Sequence, residues 1–242
     1  MKKNKVLAII PARGGSKRIP HKNMRQFAGK PLVAHAIQQA QACPFVDRVI
    51  VDTDSPAIAM IAKRFGADVP FLRPAQLAQD SSRVIDSIIN VINRLKNDDG
   101  YTPTHVLLLQ TTSPLREVED ILQCWQRIKQ SKATSVISVC ATRPKPKDLV
   151  SVKNNSLISA KVSASKNGVK LYGKNGFVFL VQTKALLKEK RFETKKTQVV
   201  ICPEWRSVDI DVPEEWALAE LIFKNKRRLR AHMATFVKKQ TL

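Results

Sequence analysis

The stretch Val6-Leu7-Ala8-Ile9-Ile10-Pro11-Ala12-Arg13-Gly14-Gly15-Ser16-Lys17-Arg18-Ile19-Pro20-His21-Lys22-Asn23 decides how this chain reads. Its apolar start, Val6 to Ile10, predicts a buried strand. The run breaks at Pro11 and passes into a Gly-Gly loop loaded with cations. Gly14 and Gly15 let a backbone bend and approach an anion closely. Arg13, Lys17 and Lys22 supply the countercharge a phosphate chain needs. The stretch therefore predicts a phosphate cradle at the carboxyl end of a first β-strand.

Around it, strands and helices alternate. A helix is expected from Pro31 to Ala42, a strand from Arg48 to Val51, and a helix capped by Ser55, opened by Pro56 and closed by Gly66. A helix over Asp86 to Leu95, a buried strand over His105 to Leu109, a helix over Pro114 to Ile128 and a strand over Ser135 to Cys140 follow. From Arg143 to about Gly176 the rhythm turns short, polar and Lys-rich, which reads as an excursion able to form a flap or an oligomer contact. Strands are expected again at Phe177 to Val181 and Ser207 to Val212. Pro213 then opens a last helix with apolar residues Trp216, Ala219, Leu221 and Ile222. The pattern predicts an α/β fold with a doubly wound, mostly parallel sheet in one domain over 1–223, with a frayed basic tail over 224–242. In such sheets ligands sit beyond the carboxyl ends of the strands, where Arg13, Asp52, Asp54 and Gln110 fall. Asp54 reads equally well as support for the helix cap that follows it.

Composition narrows the class. The 242 residues include 42 Lys and Arg against 20 Asp and Glu, a net charge of +22, with no acidic residue before Asp47 or after Glu220. Such a balance invites a polyanion partner. Aromatic residues make up only 6%, however, and no nucleic-acid-binding motif is visible, so nucleic acid is not the expected partner. The cradle explains part of the charge; a polyanion partner and a general compositional bias stay open for the rest. No apolar run reaches the roughly 18 residues of a membrane span, and Pro11 and Arg13 cut the first run short of a signal peptide, so no membrane is expected and the location is read as cytoplasmic. Cys43, Cys124, Cys140 and Cys202 lie far apart and read as free thiols. His21, His35, His105 and His232 show no partner pattern. Trp125, Trp205 and Trp216 read as packing residues.

Two familiar phosphate loops are excluded. Gly29-Lys30 has Met24 where a Walker A loop needs glycine and Pro31 where it needs Ser or Thr, and the Gly14-Gly15 loop lacks the dinucleotide spacing. Three ordered motifs instead resemble the sugar-acid cytidylyltransferases, and among them the N-acylneuraminate enzymes. They are Ile10 to Lys17 with Lys22-Asn23, Leu108-Leu109-Gln110-Thr111-Thr112-Ser113-Pro114-Leu115-Arg116, and Ser207-Val208-Asp209-Ile210-Asp211-Val212-Pro213. Arg73-Pro74 and Val51 to Asp54 fall in register, and the likeness spans roughly Val6 to Leu221. Singly, a Gly-Gly loop is most often a plain turn and two acids around Ile210 are most often surface residues; their joint order gives them weight.

The resemblance implies transfer of CMP from CTP to the anomeric hydroxyl of a keto-sugar acid, with pyrophosphate released, by a homodimer. The preferred acid is N-acylneuraminate-like, with 3-deoxy-manno-octulosonate, legionaminate and pseudaminate as alternatives. A basic nucleic-acid-binding protein on a transferase scaffold is the non-enzymatic alternative. The resemblance also implies nucleotide contacts from Arg13, Ser16, Lys22, Asn23, Arg73 and Ser82, with Ala12, Gly14, Gly15 and Lys17 beside them in the loop. Asp209 and Asp211, two apart on an extended segment, would share one face and hold Mg²⁺ together with phosphate oxygens. Arg13, Lys22, Gln110, Asp209 and Asp211 are thus the candidate catalytic set. Gln110, Thr112, Ser113, Lys166, Tyr172 and Asn175 are the candidates for the sugar acid. Two departures stand out. Thr111 sits where the family commonly has proline, and the arginine that the sialate enzymes place before the tyrosine is missing. Lys166, Lys170 or Lys174 would then face the sugar carboxylate as point charges.

Overall fold

The computed structural model describes residues 4–141, 150–153, 156–159 and 172–239. In chain order the elements are β1 (Val6–Pro11), β2 (Gln26–Phe27), β3 (Lys30–Pro31), α1 (Leu32–Gln41), β4 (Val46–Asp52), α2 (Pro56–Arg64), α3 (Val84–Asp99) and β5 (His105–Leu108). They continue as α4 (Val118–Gln130), β6 (Ser135–Ala141), β7 (Val150–Lys153), β8 (Ser156–Ser159), β9 (Tyr172–Gln182), α5 (Thr183–Glu189), β10 (Thr197–Ile201) and α6 (Pro213–Lys239). Six strands form one sheet in the order β10-β6-β9-β5-β1-β4. The pairs β1–β4, β1–β5 and β6–β10 are parallel, and β9 alone runs antiparallel between β5 and β6.

Strand β1 is buried on both faces, as its unbroken apolar run requires. Val6, Ala8 and Ile10 point to one side, where α1, α2 and α4 bring Val33, Ile37, Ile58, Ala62, Ile121 and Trp125. Leu7 and Ile9 point to the other, onto Ile88, Val91, Ile92 and Leu95 of α3 and Leu186 of α5. The result is the expected doubly wound sheet, with β4 and β5 on opposite sides of β1 and a crevice at their carboxyl ends. A third cluster joins Ile19, Phe27, Leu32 and Leu115 to Ile210, Trp216, Ala219 and Ile222. It pins the loop after β1 against the segment before α6.

Several expectations are corrected. Ser207 to Val212 joins no sheet ladder. The alternation survives without one, because Ile210 is fully buried between exposed Asp209 and Asp211, and its N–H donates to the Thr112 carbonyl at 2.8 Å. Strand β9 begins at Tyr172 rather than Phe177, since Tyr172, Gly173 and Lys174 already pair with Ala141, Cys140 and Val139. The excursion holds the hairpin β7–β8, and its remaining residues lie outside those described. Helix α4 starts at Val118, where Glu117 and Asp120 form a reciprocal capping box. Pro31 sits at the N-cap of α1 rather than its first turn. Helix α6 runs to Lys239 in place of a frayed tail, and two of its cations, Lys226 and Arg230, pair with Glu117 at 2.6 and 2.5 Å. Leu221 of that helix is 60% exposed. All four cysteines are free. Among the described residues no helix is long and apolar enough to cross a membrane.

Two histidines couple this fold to pH. His35 is buried edge-on against Phe27, and its Nε2 donates to the Phe27 carbonyl at 2.8 Å. Burial pushes its pKa down, the Phe27 bond opposes that shift, and Lys30 adds to it. Burial likewise lowers His105. The folded state therefore resists protons that the unfolded chain takes up near pH 6.5, so this stability is present above that pH and is lost as pH falls through the depressed values. We predict that the urea midpoint drops between about pH 7.5 and about pH 5, and that His35→Gln with His105→Gln flattens the drop. An unchanged slope in the double variant contradicts the assignment.

Candidate active site

A cavity of about 370 Å³ opens at the carboxyl edge of the sheet. Five separate segments wall it: Pro11 and Arg13 at the end of β1; Lys22 and Asn23 in the 3-10 turn that follows; Arg73, Asp80 and Ser82 ahead of α3; Gln110, Thr111 and Thr112 after β5; and Asp209 and Asp211 ahead of α6. All five candidate catalytic residues line it. So do the nucleotide candidates Asn23, Arg73 and Ser82 and the sugar candidate Thr112.

The loop itself sits at the rim. Ala12 is buried beneath it, its N–H donating to the Asp52 carbonyl at 2.9 Å. The Gly14 N–H donates to Asp54 Oδ1 at 2.8 Å, so Asp54 ties the loop to the end of β4, and Ser55 caps α2. A Cβ at Gly14 would stand 3.0 Å from that of Ser55, which explains the first glycine by close approach. Nothing lies within 4 Å of a Cβ at Gly15. Ala12, Gly14, Gly15, Ser16 and Lys17 do not line the cavity. Lys17 reaches its edge by pairing with Asp80 at 2.5 Å.

Each cation of the cavity already has a carboxylate. Arg13 meets Asp80 at 2.5 Å. Lys22 Nζ lies 3.0 Å from Asp211 Oδ1 and donates to the Ile210 carbonyl at 2.8 Å. Arg73 pairs with Asp52 at 2.8 Å in a buried contact that Ser87 completes by donating to the same carboxylate oxygen. The Nε of Arg73 and the Oδ1 of Asp52 are buried without partners.

Asn23 is a brace. Its Nδ2 donates to the Arg13 carbonyl at 2.9 Å, and its Oδ1 accepts from the Thr111 hydroxyl at 2.7 Å. Thr111 thus links the second motif to the first by a hydrogen bond that a proline there could not make. Gln110 is placed by Gly176, whose φ of +72° suits glycine. A Cβ there would lie 2.5 Å from Gln110 Oε1. Behind it, buried Arg116 donates to the Gln110 carbonyl at 3.2 Å and to the Phe177 carbonyl at 2.7 Å, and burial pushes its pKa down to about 10.

The other sugar candidates lie elsewhere. Ser113 is fully buried and donates to the Asn175 carbonyl at 3.4 Å. Asn175 is buried too, its side chain bonded to Ser138 and Ser207. Tyr172 is on the β9 ladder outside the cavity wall, and Lys174 pairs with Glu193 at the surface. Lys166 and Lys170 lie outside the described residues.

Asp209 and Asp211 flank buried Ile210. Although Asp209 is open to solvent, desolvation in the concave wall raises its carboxyl above the usual range. Thr112 opposes that shift, Asp211 repulsion adds to it and Lys22 opposes it. Among the described residues no third Asp, Glu, His or Cys joins them in a metal-binding group. Two hard carboxylates suit Mg²⁺ if phosphate oxygens and water complete its shell.

A buried clamp sets the position of this pair. Arg206, just upstream, makes two 2.6 Å bonds to Asp120 in the first turn of α4. Both side chains are sealed from solvent, so removing the carboxylate strands a buried guanidinium. Asp120→Ala is expected to cost about 3–5 kcal/mol in urea unfolding. A loss below about 1 kcal/mol, the scale of a surface pair, contradicts this role.

Comparison with known proteins agrees with the geometry. The family described as Cytidylyltransferase matches residues 7–240. The CMP-N,N'-diacetyllegionaminic acid synthase of Legionella pneumophila subsp. pneumophila is 36% identical over 228 residues, covering 91% of this chain and 97% of the relative. The N-acylneuraminate cytidylyltransferase of Escherichia coli O18:K1:H7 is 30% identical over 232 residues, covering 93% of this chain and 54% of that longer protein. In fold, the chain is similar to a CMP:2-keto-3-deoxy-manno-octonic acid synthetase solved with CTP, with a TM-score of 0.70 at 16% identity over 92% of this chain and 100% of that one. With the family matched over nearly its whole length, the chain is a nucleotidyltransferase that belongs to the cytidylyltransferase family.

Proposed function

We propose that the protein transfers CMP from CTP to the anomeric hydroxyl of a nine-carbon keto-sugar acid and releases pyrophosphate. One observation carries this reading: Arg13 and Lys22 share a single cavity with the Asp209–Asp211 pair and with Gln110. Phosphate and sugar carboxylate are both anions, so their encounter needs cations in a partly desolvated place. Arg13 and Lys22 neutralise the phosphate chain, and Arg73, fixed by its buried pair with Asp52, stiffens the wall beside them. Gln110, for whose side chain Gly176 leaves room, presents an amide that donates to one reactant and accepts from the other. The sugar hydroxyl gives up its proton to water as its oxygen forms a bond to the α-phosphorus, the bond from that phosphorus to the α,β-bridging oxygen breaks, and that oxygen leaves with pyrophosphate. Asp209 and Asp211 would hold Mg²⁺, which would supply positive charge to the α-phosphate and lower the pKa of the attacking hydroxyl. The likeness to the legionaminate relative, higher than to the neuraminate one, puts N,N'-diacetyllegionaminate first among the acids to test. The hairpin β7–β8 is the proposed contact of a homodimer. Four free thiols suit a reducing cytoplasm.

Pyrophosphate release tests the proposal, with CTP, UTP, ATP and GTP each offered beside legionaminate, pseudaminate, neuraminate and 3-deoxy-manno-octulosonate derivatives. Release is expected only with CTP, Mg²⁺ and a nine-carbon acid. Asp209→Asn or Asp211→Asn should lower it by about a hundredfold or more. If no acid supports release, the proposal fails; if only the eight-carbon acid does, the substrate class is wrong.

A further inference from the structure

The carboxylates of the cavity differ in how tightly they are held. The Asp52–Arg73 pair is sealed, with side-chain exposures of 1% and 6%. Asp80 is the opposite: it is 50% exposed, and its partners Arg13 and Lys17 are 41% and 85% exposed. Its two oxygens take one cation each, Oδ1 against Arg13 Nη1 and Oδ2 against Lys17 Nζ, both at 2.5 Å. That bidentate bridge is the arrangement two oxygens of a phosphate chain would make with the same cations. Asp80 also sits in the cavity wall, on the same segment as Leu77, Gln79 and Ser82. Lys17 and Arg13 hold its carboxyl below the usual range, so it stays ionised at working pH. A carboxylate so exposed exchanges readily for another anion, because its ion pairs are screened by water.

We propose that Asp80 is an internal competitor for the phosphate chain: it bridges Arg13 and Lys17 in the empty enzyme, yields them to a polyphosphate, and retakes them when pyrophosphate leaves. This rests on the reading of the cavity as a nucleoside triphosphate site. The bridge keeps the two cations in place without a ligand. It also weakens the binding of every anion that needs both, so ligands with several phosphates are favoured over singly charged anions. On the product side, it hastens release.

Calorimetric titration of the full chain with inorganic triphosphate, pyrophosphate, CTP and cytidine tests this in wild type, Asp80→Asn, Asp80→Ser and Asp80→Glu. At low salt the Asn and Ser variants should bind triphosphate and pyrophosphate about three- to tenfold tighter than wild type. Asp80→Glu should stay near wild type, and cytidine should be unaffected. The gain should shrink at about 0.5 M salt. A merely structural Asp80 predicts weaker binding in the variants, and equal or weaker triphosphate binding overturns the proposal. Failure of the wild type to bind inorganic triphosphate overturns it as well. Wild type that binds inorganic triphosphate but not CTP overturns the cytidylyl reading and leaves the Asp80 result to be judged on its own arm.

Discussion

Cations gathered in one cavity repel one another, and the site depends on the carboxylates that hold them together. Arg13, Lys22 and Arg73 come from three separate segments, and each meets an acid from a segment other than its own: Asp80, Asp211 and Asp52. Those acids are graded by burial. Asp52 is sealed and holds Arg73 in place, whereas Asp80 and Asp211 are open to solvent, as the proposed exchange with a ligand requires. The grading divides the cavity into a fixed wall and a replaceable set of counter-charges. It offsets the repulsion among the cations that a strongly basic chain gathers there.

The fold serves that arrangement. Putting β4 and β5 on opposite sides of β1 brings the ends of all three strands to one crevice. The cluster of Ile19, Leu115 and Ile210 then draws the segment before α6 across it, and the Arg206–Asp120 clamp fixes that segment from the other side. Asp211 consequently meets Lys22 although 189 residues separate them in sequence. The same cluster uses Trp216 of α6, so the long helix anchors the site as well as closing the core.

Much of this was legible in the sequence, for physical reasons that differ by element. The run Val6 to Ile10 is apolar at every position because both sheet faces are covered, and Ser55-Pro56 starts α2 by its capping chemistry. Strand β10 escaped notice because Thr197–Ile201 is a largely exposed edge strand without clean alternation. Ser207 to Val212 alternates like a strand, yet its pattern comes from one buried side chain, Ile210, and a lone bond to Thr112. In the site, Arg13, Lys22, Gln110, Asp209 and Asp211 could be read from residue type and order. Asp80, Arg116 and Gly176 could not, nor could the pairing of Asp52, read only as a strand-end residue, with Arg73, since these roles arise from contacts with partners distant in sequence: Asp80 lies 67 residues from Arg13 and Gly176 packs on Gln110. Thr111 was visible only as a departure, and its bond to Asn23 supplies the reason.

A crystal structure of the protein with CTP measures the central claim directly, because exchange of counter-charges has a geometric signature. The account predicts phosphate oxygens within hydrogen-bond distance of Arg13 and Lys22, with Asp80 and Asp211 moved off those cations and Asp52 still on Arg73. CTP bound elsewhere, or bound in the cavity with Asp80 and Asp211 still holding Arg13 and Lys22, would contradict it.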